Sequence, residues 1–465
     1  MAAQALGLAA AGVVAWYVAH IPVQVSDCVG NLLELQQLTY RQLFGSTLFA
    51  PGYIRPMAWI QFKLAFEASM GHYWAAFKLV HTAQLVATAL LFVHLLRVRS
   101  AGALALVPVA LAVLFGLHTF NGTVREAFPV NAYLTMIMAI LGAISLVRAE
   151  HRWLNDVAAV VLFVFSILTV ESGILVLVAI LAGRMAGKKG VSAWGILAMF
   201  LVLDGYLYLR FGPFGVGLPG LTERSSGFGL RVLEPRELLE RFGAQPLYFY
   251  AYNVVSSVST VLFSEPRAGV WVLVERFSTG ETLPAWLLVN LLASTLATIV
   301  VAWFGVRAGG RWWRGRASED DRLAWVALGV LLANAVLCYA YTKSVMMSAG
   351  GVCWALLVYV ALRDLASAAQ GYPWAARVPA LVGVAVLSAV WGVRFAGLPV
   401  LLREEAFSVR NDWAMVYPWL TSQRIDISRP AARGLVETLR RDALSTPVPN
   451  PKLVEQAHLA WFDLD

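Results

Sequence analysis

The chain reads as an all-α polytopic membrane protein, and three observations carry that reading. Of its 465 residues 59% are apolar and only 14% charged, and apolar runs long enough to cross about 30 Å of hydrocarbon recur along most of the chain. Arginine and lysine gather in short clusters between those runs, as the positive-inside rule requires of cytoplasmic loops. Long mixed segments interrupt the runs at only three places, 22–72, 211–284 and 398–465.

Hydropathy gives about eleven spans, near residues 4–21, 73–96, 102–119, 131–148, 155–170, 172–184, 192–210, 285–306, 322–342, 345–362 and 377–397. No small-residue cleavage site follows the first of them, so Leu6 to His20 is read as a retained helix and not as a signal. Arg97 and Arg99, Arg148 and Arg152, Arg184 with Lys188 and Lys189, the run RAGGRWWRGR from Arg307 to Arg316, and Arg363 fall on alternate loops. Placing these in the cytoplasm puts the N-terminus inside, the C-terminus outside and all three long segments on the external face. A transmembrane module then covers 1–397, with a small external helical tail at 398–465. Arginine far outnumbers lysine, a composition of GC-rich bacteria that points to an inner membrane with a periplasmic active face.

The formal charge of +8 belongs to those loop clusters, so it calls for membrane lipids and for no nucleic acid. Cys28, Cys338 and Cys353 form neither a disulfide framework nor a CxxC pair, which removes disulfide scaffolds and structural zinc. There is no P-loop, dinucleotide glycine motif, HExxH or GxSxG in the chain. A soluble nucleotide-using mechanism therefore has no visible site.

The first external segment presents Asp27 in HIPVQVSDCVGN, continues as two half-apolar pieces around APGYIRPM (Ala50 to Met57), and enters the second span at HYWAAFKLVHTAQLVATALLFVHLL. In the second, Pro235 suits a first helical turn, and Leu233, Leu238, Leu239 and Phe242 make one apolar stripe, so LEPRELLERFG reads as a helix on the membrane surface. PLYFYAYNVVSSVSTVLFSEP is apolar but rich in serine; it reads as re-entrant or tilted, since a full span there would invert the downstream charges. In the tail, RPAARGLVETLRRDAL forms one amphipathic helix.

A carboxylate just outside a span, such as Asp27, has two uses: taking a proton from an acceptor hydroxyl, or holding a divalent cation. The bland alternative is a solvated loop acid. Glu171 sits between two short apolar runs at a turn Glu171-Ser172-Gly173, where an ionisable group at membrane depth is costly; a helix-capping role competes with a functional one. Arg55, next to Pro56 and two residues after Tyr53, is suited to grip a phosphate or carboxylate bidentately, against a plain headgroup anchor. His81 and Gln84 share one helix turn of the second span, and His118 with Asn121 follows the third. A lone helical histidine is more often a packing residue than a ligand. Lys343, in a short external turn, is a second cation for a phosphate or for headgroups. Asn121-Gly122-Thr123 has the form of a glycosylation sequon, a triplet that chance also supplies. Trp312, Trp313, Tyr206 and Tyr208 suit an interfacial aromatic belt, with no role in chemistry.

Taken in order, these features resemble the GT-C membrane glycosyltransferases, nearest to the O-mannosyltransferases with tetratricopeptide repeats and their bacterial relatives. Ser26-Asp27 stands where the family has two acids, Tyr53-Ile54-Arg55-Pro56 matches its tyrosine-arginine-proline element, and His118 to Thr123 echoes its histidine-rich stretch without the acid. Val170-Glu171 matches its lysine-glutamate turn without the lysine, and Lys343 to Gly350 echoes its later basic stretch. The resemblance implies a GT-C bundle with external surface helices, transferring a sugar from a polyprenyl-phosphate donor to a lipid, glycan or protein acceptor. It makes Asp27 the base and gives Glu171 the acceptor or metal site. Arg55, Lys343 and Tyr53 would hold the donor phosphate, with His81, Gln84, His118 and Asn121 lining the acceptor. The missing acids leave a divalent cation open and no cofactor certain. Two rivals stand beside it: a lipid-linked saccharide flippase or transporter, with polar groups near the midplane, and a non-catalytic membrane scaffold.

Overall fold

A computed structural model describes residues 1–35, 37–49, 54–68, 70, 73–116, 118–125, 131–212, 226–228, 231–243, 246–264, 270–340, 344–414 and 428–445. The first apolar run is helix α1 (Ala2–Val18), followed by three short helices, α2 (Ser26–Leu35), α3 (Tyr40–Leu48) and α4 (Pro56–Ala68). Next come α5 (Tyr73–Leu96), α6 (Ala101–Ala105), α7 (Val107–Gly116), α8 (His118–Arg125), α9 (Asn131–Arg148), α10 (Trp153–Ile167), α11 (Leu175–Met185) and α12 (Ala193–Phe211). A small antiparallel hairpin, β1 (Ser226–Phe228) with β2 (Arg231–Leu233), departs from the expected all-α pattern. The rest is helical: α13 (Pro235–Phe242), α14 (Leu247–Phe263), α15 (Val270–Thr279), α16 (Ala285–Trp313), α17 (Glu319–Leu337), α18 (Ser348–Gln370), α19 (Trp374–Ala414) and α20 (Pro430–Ser445).

Among the described residues five helices are long and apolar enough to cross a membrane: Phe77–Leu96, Ala193–Phe211, Ala285–Trp313, Val345–Gln370 and Trp374–Trp413. That is fewer than the sequence suggests. The apolar helices Ala2–Val18, Ala101–Gly116, Ala132–Arg148, Trp153–Ile167 and Leu247–Phe263 have 10–17 residues, below the roughly 20 that a straight crossing needs. At the centre lies α18, whose residues from Ser348 to Leu362 are all buried; α5, α7, α9, α16, α17 and α19 pack around it.

The basic loops meet at one end of this bundle. Arg97 and Lys188 both pair with Glu319, Arg363 with Asp320, Arg311 with Asp321 at 2.5 Å and with Asp364 at 3.2 Å, and Arg307 with Asp364 at 3.0 Å. Backbone carbonyls take further donors: Arg148 donates to Leu95 at 2.9 Å and Arg363 to Leu96 at 3.0 Å. The loops between α5 and α6, α9 and α10, α11 and α12, and α16 and α17, with the end of α18, are thereby drawn together. The alternation of the antiparallel helices then puts α2–α4, α8 and the turn between α10 and α11 at the opposite end.

At that opposite end local chemistry explains the short helices. Thr39 and Gln42 cap α3 reciprocally, as Glu234 and Glu237 cap α13, each satisfying free amides of a helix start. Lys63 reaches from α4 to the Leu35 carbonyl at the end of α2, 3.1 Å away, and pairs with Glu67 at 2.9 Å.

The serine-rich piece is α14, 17 residues long and so shorter than a straight crossing needs. Near its start Asn253 donates to the Tyr339 carbonyl at 2.8 Å. At its end the Leu262 carbonyl accepts from Thr298, and Ser264 meets Ser294 at 2.5 Å. Thr298 lies thirteen residues before Arg311, about 20 Å of helix short of the basic end. The tail also departs from expectation. No break occurs at 397, because α19 runs on to Ala414 through Pro399, and α20 packs against α19, α2 and α5.

Candidate functional site

Arg55 precedes α4, whose start is fixed by a hydrogen bond from the Met57 amide to the Leu168 carbonyl at 2.9 Å. The receiving segment 168–174 is the turn between α10 and α11, with Val170 extended (φ −155°, ψ 145°) and Glu171–Ile174 in a 3-10 turn. Gly173 permits it: a Cβ there would collide with the Ser166 carbonyl. Two residues 116 apart in sequence then face each other. Arg55 Nη2 lies 2.6 Å from Glu171 Oε2, and Nε lies 3.1 and 3.2 Å from the two carboxylate oxygens. The guanidinium fork and the carboxylate thus meet side by side, the strongest form of such a pair. Their side chains are 35% and 27% exposed, so the pair sits at the rim and not in the core.

Tyr206 and Arg210, one turn apart on α12, complete the surroundings; Tyr206 is buried and feels the charges of Glu171, Arg55 and Arg210. On the inner side Gln61 donates to Thr169 at 3.3 Å, Thr135 donates to Gln61 at 2.9 Å, and Gln84 donates to Thr135 at 3.0 Å. A polar chain therefore runs from the middle of α5 through α9 and α4 to the residue two before Glu171.

His81, one turn from Gln84, is fully buried, and its Nε2 donates to the Val124 carbonyl at 2.8 Å. It ties α5 to α8, a packing role in place of the acceptor-lining one expected. Lys78, also buried, lies near enough to His81 to act on it electrostatically. Helix α8, which carries His118 and Asn121, packs against the 3-10 turn Ser344–Met347, where a side chain at Gly122 would press on Val345. Asn334 anchors that turn from α17, donating to the Met346 carbonyl and accepting from the Gly350 amide, each at 2.9 Å.

Of the residues singled out in the sequence, Arg55, Glu171 and Gln84 thus belong to one connected group, and His81 borders it. Asp27 lies in the first turn of α2, and His118 and Asn121 lie on α8; the side chains of these three, and all of Tyr53 and Lys343, lie outside the described residues. The segment leading to Asp27 is held by α19. Trp413 donates its indole N–H to the Val23 carbonyl, and Gln24 donates to Glu405 at 3.3 Å. Next to Glu405, Glu404 is only 4% exposed, and neither of its oxygens is hydrogen-bonded. The sequence reading missed Gln61, Thr135, Thr169, Lys78, Tyr206 and Glu404. Only Tyr206 had a local signal, an arginine one turn later at the end of a span.

No family model, curated protein or solved structure matches the chain. The chemistry available is therefore argued from the side chains. Among the described residues no three histidine, cysteine or acidic groups come together to hold a metal, and the Glu171 carboxylate is taken up by Arg55. A guanidinium held by a carboxylate on one edge is fixed in direction, which suits it to orient an anionic group arriving at the rim.

Proposed function

We propose that the chain is an integral membrane glycosyltransferase of GT-C type, moving a sugar from a polyprenyl-phosphate donor to an acceptor hydroxyl at the end of the bundle opposite the basic loops. The observation that carries this reading is the Arg55–Glu171 pair. It joins two motifs, from the first external segment and from the α10–α11 turn, that are remote in sequence. Asp27 is the base that takes the hydroxyl proton, and Arg55 and Lys343 meet the phosphate as negative charge develops on it. Glu171 positions Arg55, a role that replaces the acceptor or metal site first assigned to it. On this reading the shorter apolar helices cross where the bilayer thins around them and flanking side chains snorkel, to complete about eleven crossings. The basic end is cytoplasmic and the active end periplasmic.

The test is transfer by the purified full chain from a panel of polyprenyl-phosphate sugars, with Asp27→Asn beside it. Loss of a base typically costs about 100- to 10,000-fold in rate, and that loss is expected with the donor KM little changed. Full activity in Asp27→Asn removes the residue from the mechanism. Absence of transfer with every carrier favours a transporter or scaffold.

A further inference from the structure

At the other end of the molecule an apolar cavity of about 660 Å³ lies between α16 and α17. These consecutive helices meet at the basic end, through the Arg311–Asp321 pair and the Trp312–Trp325 ring contact, and α14 is packed against both. Val258 and Leu262 of α14 roof the cavity; Thr298 to Trp312 form one wall and Asp321 to Leu332 the other, with Trp354 and Leu357 of α18 behind. From Thr298 to Trp312 the wall extends about 21 Å, enough for a chain that follows one leaflet of a roughly 30 Å hydrocarbon core. Trp325, Leu328, Leu332 and Met185 are lining residues that are also exposed. The cavity therefore opens sideways, towards lipid.

Charge at its mouth identifies the occupant. The nearby acids are consumed: Glu319 by Lys188 and Arg97, Asp320 by Arg363, Asp321 by Arg311, and Asp364 by Arg307 and Arg311. Arg184 adjoins the lining residue Met185, and Arg314 and Arg316 follow the lining residue Trp312. All three arginines are exposed, and no acid pairs with them among the described residues.

We propose that this cavity takes an acyl chain of an anionic phospholipid from the leaflet at the basic end, with the lipid phosphate held among Arg184, Arg314 and Arg316. A zwitterionic lipid gains the same apolar contact but less from the cations. The site lies away from Arg55 and Glu171, so it stands or falls independently of the sugar-transfer reading.

The full chain is reconstituted in equal amounts of phosphatidylglycerol and phosphatidylcholine and washed in neutral detergent, and the lipid retained is counted by mass spectrometry. Preferential retention of phosphatidylglycerol is expected. Gly305→Phe places a ring in open space beside the cavity and is expected to lower retained lipid about tenfold or more. The double variant Arg314→Gln with Arg316→Gln, both exposed, is expected to lower the preference for phosphatidylglycerol about tenfold while keeping total lipid. Should Gly305→Phe fail to fold, Gly309→Leu fills the same space from the next turn, and the charge variant decides separately. Equal retention of the two lipids, or undiminished retention in a folded filled variant, overturns the proposal.

Discussion

Replacing Glu171 by Gln, Arg55 by Gln, and both together measures how firmly the two motifs are joined. Arg55 contributes Nε and Nη2 to a carboxylate with a shortest separation of 2.6 Å, and the side chains are 35% and 27% exposed. Exposed pairs are worth about 0.2–1 kcal/mol, whereas removing one partner of a buried pair costs about 3–5 kcal/mol. A rim pair with bidentate geometry, discounted for solvent screening, falls between them at about 1–2 kcal/mol of coupling. Each single variant leaves a half-buried charge without its partner, so the double variant should cost less than the sum of the singles. Chemical unfolding of the four proteins in one detergent gives the coupling directly, and raising the salt should shrink it. Additivity within about 0.3 kcal/mol would refute the idea that this pair holds the two segments together.

Other outcomes follow from the same end of the molecule. Gly173→Ala forces a Cβ against the Ser166 carbonyl and should destabilise by about 1–3 kcal/mol in the same unfolding assay; a neutral result would mean that the turn is built differently. Glu67 is held below its ordinary 4.5 by the Tyr40 hydroxyl and then by Lys63, while burial and then Glu67 push Tyr40 up to about 12. The depressed acid loses its contribution as pH falls through a value below 4.5, and the raised phenol loses its own as pH climbs from 10 through about 12. Protection of the α3 amides, with the intrinsic pH dependence of exchange divided out, should therefore be greatest between those limits. Impermeant maleimide should label Ser278→Cys from outside intact cells and Arg316→Cys only after lysis, in a background lacking the native cysteines; the reverse pattern, Arg316→Cys labelled from outside and Ser278→Cys only after lysis, would make α14 a true span.

How much of this was legible in the sequence depends on the distance between partners. Features written locally came through: the basic loops, the Pro235 helix start and the turn at Glu171 are each set by neighbours within a few residues. The Arg55–Glu171 pair and the chain Gln84–Thr135–Gln61–Thr169 were not legible, since their partners lie 51 to 116 residues apart and nothing in a helix period says which polar side chains will meet. His81 joined the acceptor-lining set only through the resemblance, against the reading that a lone helical histidine packs, and burial with the Val124 carbonyl makes it a tether. Helix α19 runs on past the 397 expected for its end, and Pro399 does not stop it. The buried stripe Leu398, Leu401, Leu402, Ala406, Val409 and Trp413 outweighs a penalty of about 3 kcal/mol. Tyr206 was passed over as one of a belt pair; Tyr208 is 63% exposed and fits that role, but Tyr206 is 8% exposed and turns inward to Glu171.

The most direct measurement seals the purified chain in proteoliposomes with a polyprenyl-phosphate sugar and offers a membrane-impermeant acceptor on one side at a time. Sugar should reach the acceptor only from the face that carries α2–α4 and the Glu171 turn, with Asp27→Asn slowed by about 100-fold or more and Glu171→Gln weakened chiefly in donor KM. Transfer from the face of the basic loops, or an unchanged rate in Asp27→Asn, would contradict it.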